Sequence, residues 1–558
     1  MNSRYGRMSA ALLTGCTCAA LLVSAVLVGG TGRKFYDDDP IAIEVDTEDA
    51  SGAQPWEIDL VWDLSLNTFA RPGRTLDPPR AGNINTIDEV PDSNWFTNRI
   101  GARPLSTADI ARGPQTGEGP SGQLTVIRPK QAGAAPGFTA RDERGDVWFV
   151  SLDAAGHPDA ATGAIMVANK LFWALGYWQV ENYLIAIDPD RIAIADSARM
   201  RPPSGSNRPM RKSDLDAVFA HSHRRADGSY RAAAGKAIPG TVLGGFKYHG
   251  TRPDDPNDIV PHEDRRELRG LRVFGAWTNL VDMKAGNTLD TLIEENGRHV
   301  VRHYLQDVGS TFGVGAHGLH DYDEGFEFLY EGGILLRRLV TLGLYRSAWQ
   351  TARYEDVPAI GRFEAEAFEP RTWRPRVPTS AYLRARDDDT FWAARRVAAF
   401  TDEQILAAAR AGEYSDPNAA PYLARILMAR RDRIARAYLP AINPLVDFAL
   451  NAQGRLTFAN AAEAAGVATA PQGYSATWAH FDNTTEDTRP IGTETTGAGP
   501  SIEAPPGLPT GAGAYIKVQV RALTPPEPSW AVPVDVYFRR LADGWKLVGL
   551  ERRVGGGD

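Results

Sequence analysis

Cysteine is almost missing from this 558-residue chain: two occur, Cys16 and Cys18, both in the first apolar stretch. The rest of the chain therefore forms no disulfide, no zinc–thiolate site and no cysteine nucleophile, and must hold itself together by core packing. A basic excess is missing too. The formal charge is −8, which argues against a general nucleic-acid-coating protein. After Gly30 no segment has the uninterrupted apolar length needed to span a bilayer. There are no internal repeats, and no Gly-x-Ser-x-Gly elbow marks a serine hydrolase. What is present is globular in kind. Hydrophobic residues make up 43% and charged residues 23%, which excludes wholesale disorder and collagen-like structure. The length corresponds to about three units at roughly 100–200 residues each.

Arg4 and Arg7 precede an uncharged apolar stretch from Met8 to Gly30. A short basic region followed by an apolar one reads as an export signal or as an uncleaved membrane anchor. Leu13-Thr14-Gly15-Cys16 also fits a bacterial lipobox, in which Cys16 would carry lipid. Residues 1–33 are accordingly expected to be a signal peptide or a membrane or lipid anchor. The body is expected outside the cytoplasm, in the cell envelope, tethered or periplasmic.

Residues 34–120 lack long periodic patterns and are rich in turn sequences, so an extended arm that wraps a domain is expected. Short strands are expected at 124–127, 138–141 and 147–152, the last two joined by a turn at 142–146 with Gly145 free to take positive φ. A helix is expected from Ala160 to Leu175, closed by Gly176, and a further strand at 182–187. Residues 200–262 read as loops. Leu268, Leu271, Phe274, Trp277 and Leu280 recur at helical spacing and predict a helix with one buried stripe. Asn296-Gly297 predicts a hairpin. Beyond 385 the pattern is helical: Asp387–Asp389 as a cap, Thr401 and Gln404 at capping-box spacing, and a helix from Pro421 to Tyr438. After Pro444, short alternating runs predict a small all-β, sandwich-like domain over 441–558.

The chemically informative segment is Asn279-Leu-Val-Asp-Met-Lys-Ala-Gly-Asn-Thr288, followed by Asp307-Val-Gly309. Phosphoryl transfer needs one carboxylate to orient and deprotonate the attacking hydroxyl. It also needs a carboxylate and an amide oxygen to hold divalent cations against nucleotide phosphates. Asp282, Lys284 and Asn287 have a spacing that lets one loop carry the base, a lysine and a metal ligand, and a hairpin would return Asp307 beside Asn287. This resembles the catalytic loop and the Asp-Phe-Gly segment of the protein-kinase-like superfamily, including its HipA-type and secretory-pathway branches. The resemblance covers roughly 120–440. It implies an α+β, two-lobed kinase-like domain over 121–440, with a small lobe at about 121–200 and a large lobe at about 201–440. It also implies Asp282 as catalytic aspartate, Lys284 facing the phosphate, Asn287 and Asp307 as Mg²⁺ ligands, and Gly309 as the bend after them. Trp95–Gly101, Gly250–Asp258 and Arg265–Arg272 are also similar to a family of exported bacterial proteins to which no activity is attached.

The departures from the kinase pattern carry equal weight. Ser151 stands where a strand lysine is expected, and Ile165 where a helix glutamate is expected. Lys170 is a candidate relocated lysine, with a surface position as the expected alternative. No Gly-rich phosphate loop of the usual spacing is present. Two functions follow as expectations. One is a degenerate kinase-like domain used as a binding or scaffold module for an envelope protein or small molecule. The other is a divergent phosphotransferase using Mg²⁺ and a nucleotide to modify a hydroxyl. Elsewhere, His317-Gly-Leu-His320-Asp-Tyr-Asp-Glu324 offers oxygen and imidazole ligands but is expected to be a polar loop. His221-Ser-His223 and Arg430-Arg-Asp-Arg433 are expected to be solvated, and Trp277, Phe391 and Trp392 to lie in the core.

Overall fold

The computed structural model describes residues 32–130, 135–201 and 205–553. The lipobox and the 8–30 apolar stretch lie outside them. The architecture is mixed α+β. Strands Thr125–Pro129, Gly137–Arg141 and Val147–Leu152 form an antiparallel meander. Strand Tyr230–Lys236 joins its free edge, and Asn182–Ile187 pairs beyond that, with the short Ala193–Ile194 strand parallel at the opposite edge. Gly145 takes φ +89 in the turn, and Gly176 takes φ +126 after the Ala160–Leu175 helix.

Tyr230–Lys236 lies in what reads as a loop-rich stretch, past the boundary expected near 200. Its sequence, Tyr-Arg-Ala-Ala-Ala-Gly-Lys, lacks the β-branched alternation of a half-buried strand. The structure shows why: six of its seven residues are buried, and a strand covered on both faces needs small or apolar side chains throughout. Trp148, Val150 and Leu152 pack on one side of the sheet with Leu215 and Phe219 of the Lys212–Ala220 helix, an element also missed in that stretch. Phe149 and Ser151 alternate to the opposite side.

The Arg266–Thr278 helix is buried almost all round, with Arg272 as the exception. The single expected stripe is thus too narrow, because the polar positions are neutralised in place. Arg266 meets Asp88 at 2.9 Å, Asp389 at 3.0 Å and Asp388 at 3.2 Å, and Arg269 meets Asp264 at 2.6 Å and Asp389 at 3.1 Å. These partners also revise the helix that starts at Asp387. Arg386 occupies its N-cap position and Asp389 accepts from the Arg386 amide, while Asp388 and Asp389 serve Arg266. The Thr401–Gln404 capping box forms as expected, and the last long helix spans Ala419–Tyr438. Arg430 on it is not solvated. It is buried between the Phe363 and Phe368 rings and donates to the carbonyls of Glu364 and Ala276. Burial pulls its guanidinium down to about 9. Trp277, Phe391 and Trp392 are core.

Residues of the 34–120 stretch pack against several later elements. Phe35 inserts among Phe481, Tyr515 and Tyr537 of the C-terminal region. Ala50 and Ala53 cover Leu243 and Val301, and Trp95 and Phe96 enter the main core. The C-terminal strands form two antiparallel sheets, one built on Leu445–Leu450 and Arg455–Asn460, the other on Gly473–Phe481, Tyr515–Leu523, Val534–Arg540 and Trp545–Arg552. Apolar packing runs without a break from the helices into these sheets. Among the described residues no helix is long and apolar enough to cross a membrane.

Candidate functional site

The buried helix ends at Asn279, whose φ of +58 turns the chain out of helical geometry into the loop carrying Asp282. Such a left-handed position suits asparagine. The Asn279 side chain is fixed by the Trp373 indole N–H at 2.8 Å. Further along, the Asn287 amide donates to the Asp282 carbonyl at 2.8 Å, closing the loop on itself. Lys284 is ion-paired to Asp282 at 2.6 Å. Its charge therefore rests on that carboxylate in this structure.

Strands Thr288–Glu295 and Arg298–Leu305 pair in continuous register around Asn296 and Gly297, at φ +52 and +77. Positive φ at both central residues is the two-residue turn that matches strand twist. Because Leu305 pairs with Thr288, the chain after the hairpin returns beside the loop, and the Asp307 amide donates to the Asn287 carbonyl at 3.0 Å. The loop carrying Asp282, Lys284 and Asn287 and the segment carrying Asp307 thus run side by side, with Asn287 between Asp282 and Asp307. Gly309 follows Asp307 by two residues. It is not among the positive-φ glycines; its need is steric. A β-carbon there would stand 2.9 Å from Ile165 Cγ1 and 3.3 Å from Asp307 Oδ1. The position expected for a helix glutamate thus presents an aliphatic side chain to the bend. The Gly309 amide donates to Asp307 Oδ1 at 3.0 Å and holds that carboxylate in one rotamer.

The site includes a residue that the sequence reading misses. Lys130 Nζ donates to the Ser151 hydroxyl at 3.3 Å. Pairing of Pro129 with Phe138 and of Gly137 with Ser151 puts Lys130, Gly137 and Ser151 in one row across three strands. The lysine stem passes beside Gly137, where a β-carbon would sit 3.4 Å from Lys130 Cδ and would collide with the Val150 carbonyl oxygen. Burial lowers the Lys130 ammonium below the usual lysine range, and the Asp307 charge acts against that shift. A lysine beside Ser151 and within electrostatic reach of Asp307 was legible only by combining two strand registers. The linear comparison looks for lysine on the third strand and finds serine.

Lys170 is not on the surface. It is fully buried and donates to the Arg112 carbonyl at 2.8 Å, and burial lowers its ammonium to about 7. His320 is buried, with Nε2 3.0 Å from the Ser310 hydroxyl, and burial takes its imidazole down to about 3. Glu324 is pushed up to about 7 by burial, with Asp321, Asp323 and Asp282 adding to the rise. His317 and His221 are exposed. Among the described residues no group of three or more His, Cys, Asp or Glu side chains is arranged to hold a metal ion.

Asn287 and Asp307 do fit a cation that takes only part of its coordination from protein. Asn287 uses its amide nitrogen on Asp282, leaving its carbonyl oxygen, and Asp307 uses Oδ1 on Gly309, leaving Oδ2. Two hard oxygen ligands suit Mg²⁺, which keeps water and phosphate oxygens as its other ligands. No family model, curated protein or solved structure matches the chain.

Proposed function

We propose that the chain is a divergent kinase-like phosphotransferase with its two lobes meeting at the Asp282–Asp307 cleft. The reading is carried by Lys130. It supplies a cation beside Ser151, where the strand has lost its own lysine. Three further features support it: an antiparallel sheet with its helix inserted before the fourth strand, a buried helix leading into the Asp282 loop, and a hairpin returning Asp307 beside Asn287. In this reading Asp282 accepts the proton of an acceptor hydroxyl, whose oxygen attacks the terminal phosphorus of a nucleotide. The nucleoside diphosphate leaves. Lys130 holds phosphate oxygens, and Lys284 moves from Asp282 to the transferred group. Asn287 and Asp307 would hold Mg²⁺, which neutralises phosphate charge when bound. The acceptor is a hydroxyl on an envelope protein or small molecule, and the uncharged 8–30 stretch supports export with membrane contact through that segment or a lipid on Cys16.

One observation favours the second reading, a degenerate kinase-like binding or scaffold module. Ile165, not a carboxylate, faces Gly309, so no helix glutamate orients Lys130. The two separate in one experiment. Thermal unfolding is followed with Mg²⁺ and a nucleoside triphosphate, in the native chain and in Asp307→Ala, with nucleotide consumption measured in parallel. A ligand at one hundred times its Kd stabilises by about 2.7 kcal/mol. A shift lost in Asp307→Ala, with slow consumption, supports the transferase. A shift with no consumption supports the module, and no shift at any nucleotide concentration overturns both nucleotide readings.

A further inference from the structure

An exposed apolar surface is left over from the site. The Leu60–Ser65 helix of the arm has no buried residue. Val61, Trp62 and, just after the helix, Phe69 are between 65% and 75% exposed. A second element, the Gly332–Val340 helix and the turn after it, also has no buried residue in its helical part. Leu339, Val340, Leu342 and Leu344 there are between 71% and 90% exposed. The two elements adjoin. Phe69 and Tyr330 rings lie 5.4 Å apart, and Arg71 donates to the Tyr330 carbonyl at 2.6 Å. Apolar side chains this exposed, on two elements that meet at Phe69 and Tyr330, mark a contact surface rather than ordinary surface scatter.

Charge identifies the partner. The chain as a whole carries −8, yet residues 60–74 and 329–346 hold five arginines against two carboxylates, Asp63 and Glu331. Arg74, Arg337 and Arg346 are exposed and make no ion pair among the described residues. Exposed leucine, tryptophan and phenylalanine together with unpaired arginines is the composition of an element that lies in a lipid–water interface. The arginines match anionic headgroups, and Trp62 and Tyr330 match the headgroup level, where aromatic rings collect. We propose that this paired surface, Leu60–Phe69 with Leu335–Leu344, docks on an anionic bilayer. It lies on the membrane and does not span it. The proposal stands on exposure and charge and is independent of the phosphotransferase reading.

The test uses the full chain, with Cys16 and Cys18 replaced by serine so that a single introduced cysteine takes an environment-sensitive dye. Leu342→Cys reports on the surface, and Ile259→Cys, exposed on another segment, is the control. Vesicles of phosphatidylcholine with phosphatidylglycerol should blue-shift the dye at 342 and expose it to quenchers placed in the acyl region, leaving the dye at 259 in water. Adding Leu339→Asp and Leu344→Asp should abolish the shift without lowering Tm, because both side chains are already in solvent. Pure phosphatidylcholine vesicles should give a several-fold smaller response. A dye at 342 that stays in water while the chain is held on vesicles by its N-terminus overturns the proposal. So does a concentration-dependent blue shift without vesicles, which would assign the surface to a second copy of the chain.

Discussion

The Lys130 ammonium stands 3.3 Å from the Ser151 hydroxyl, reaching it past Gly137 from the end of a strand two places away in the sheet. In the kinase-like reading proposed above, the cation comes from two strands away from the position expected for it. If the ammonium is what the cleft requires, its strand of origin is immaterial. Lys130→Ala should weaken binding of a magnesium nucleotide about tenfold to hundredfold, the loss of one charged contact worth about 1.5–3 kcal/mol. Adding Ser151→Lys to that variant should restore most of it. Titration calorimetry on the two variants checks this, and failure of the double variant to recover would remove Lys130 from the site.

Arg266 and Asp88 tie the arm to the buried helix, and Arg552, 3.4 Å from the same carboxylate, ties in the C-terminal strands. Asp88 is buried, which alone would raise its pKa. The Arg266, Arg80 and Arg552 charges outweigh that and hold it at about 2. A free aspartate titrates near 3.9. Ionised Asp88 therefore favours the folded state fully above about pH 4, and that contribution, about 2–3 kcal/mol, is lost as pH falls toward 2. Asp88→Asn should flatten the acid limb of the stability curve. It should also cost about 3–5 kcal/mol at neutral pH, because Arg266 is left underpaired in the core. Urea unfolding between pH 3 and pH 7 measures both effects.

Local signals were legible and long-range ones were not. Asn296-Gly297 and Gly176 declare a hairpin and a helix end by backbone chemistry that their neighbours cannot alter, and both sit where the sequence puts them. Asp282, Asn287 and Asp307 were legible because one hairpin of fixed register joins them. The strand Tyr230–Lys236 was hidden because burial on both faces erases alternation. Arg430 and Lys170 read as surface because their partners, the Ala276 and Arg112 carbonyls, are 154 and 58 residues away. A charged residue's burial depends on where its counter-group arrives, and periodicity holds no record of that.

Lys170 gives a prediction of opposite pH sign to Asp88. Its folded pKa of about 7 lies below the ordinary lysine value, so between about pH 7 and pH 10 the unfolded chain binds the extra proton and stability rises with pH. Lys170→Met keeps the buried stem and removes the titration. It should raise Tm at pH 7 or below and remove the alkaline rise, measured by thermal scans from pH 6 to pH 10. Magnesium nucleotide binding should be unchanged, since Lys170 points to the Arg112 carbonyl and away from Asp307.

Gly309 and Ile165 can be tested as a pair. A methyl group at 309 meets Ile165 Cγ1 at 2.9 Å, closer than real β-carbon contacts, and the bend has no positive φ to make alanine unacceptable on backbone grounds. The cost is therefore overpacking alone, about 1–3 kcal/mol. Gly309→Ala should destabilise by that amount and tilt Asp307, whose Oδ1 is held by the Gly309 amide. Ile165→Ala alone should cost about 1–2 kcal/mol, below the range for a core isoleucine because Ile165 is only half-buried. In the double variant the added methyl group enters the space vacated by isoleucine, so the two losses should fall short of additive by about 1 kcal/mol or more. A double-mutant cycle by chemical denaturation reads the coupling. Additive losses would mean that the glycine is required for the Asp307 turn itself and not for contact with the helix.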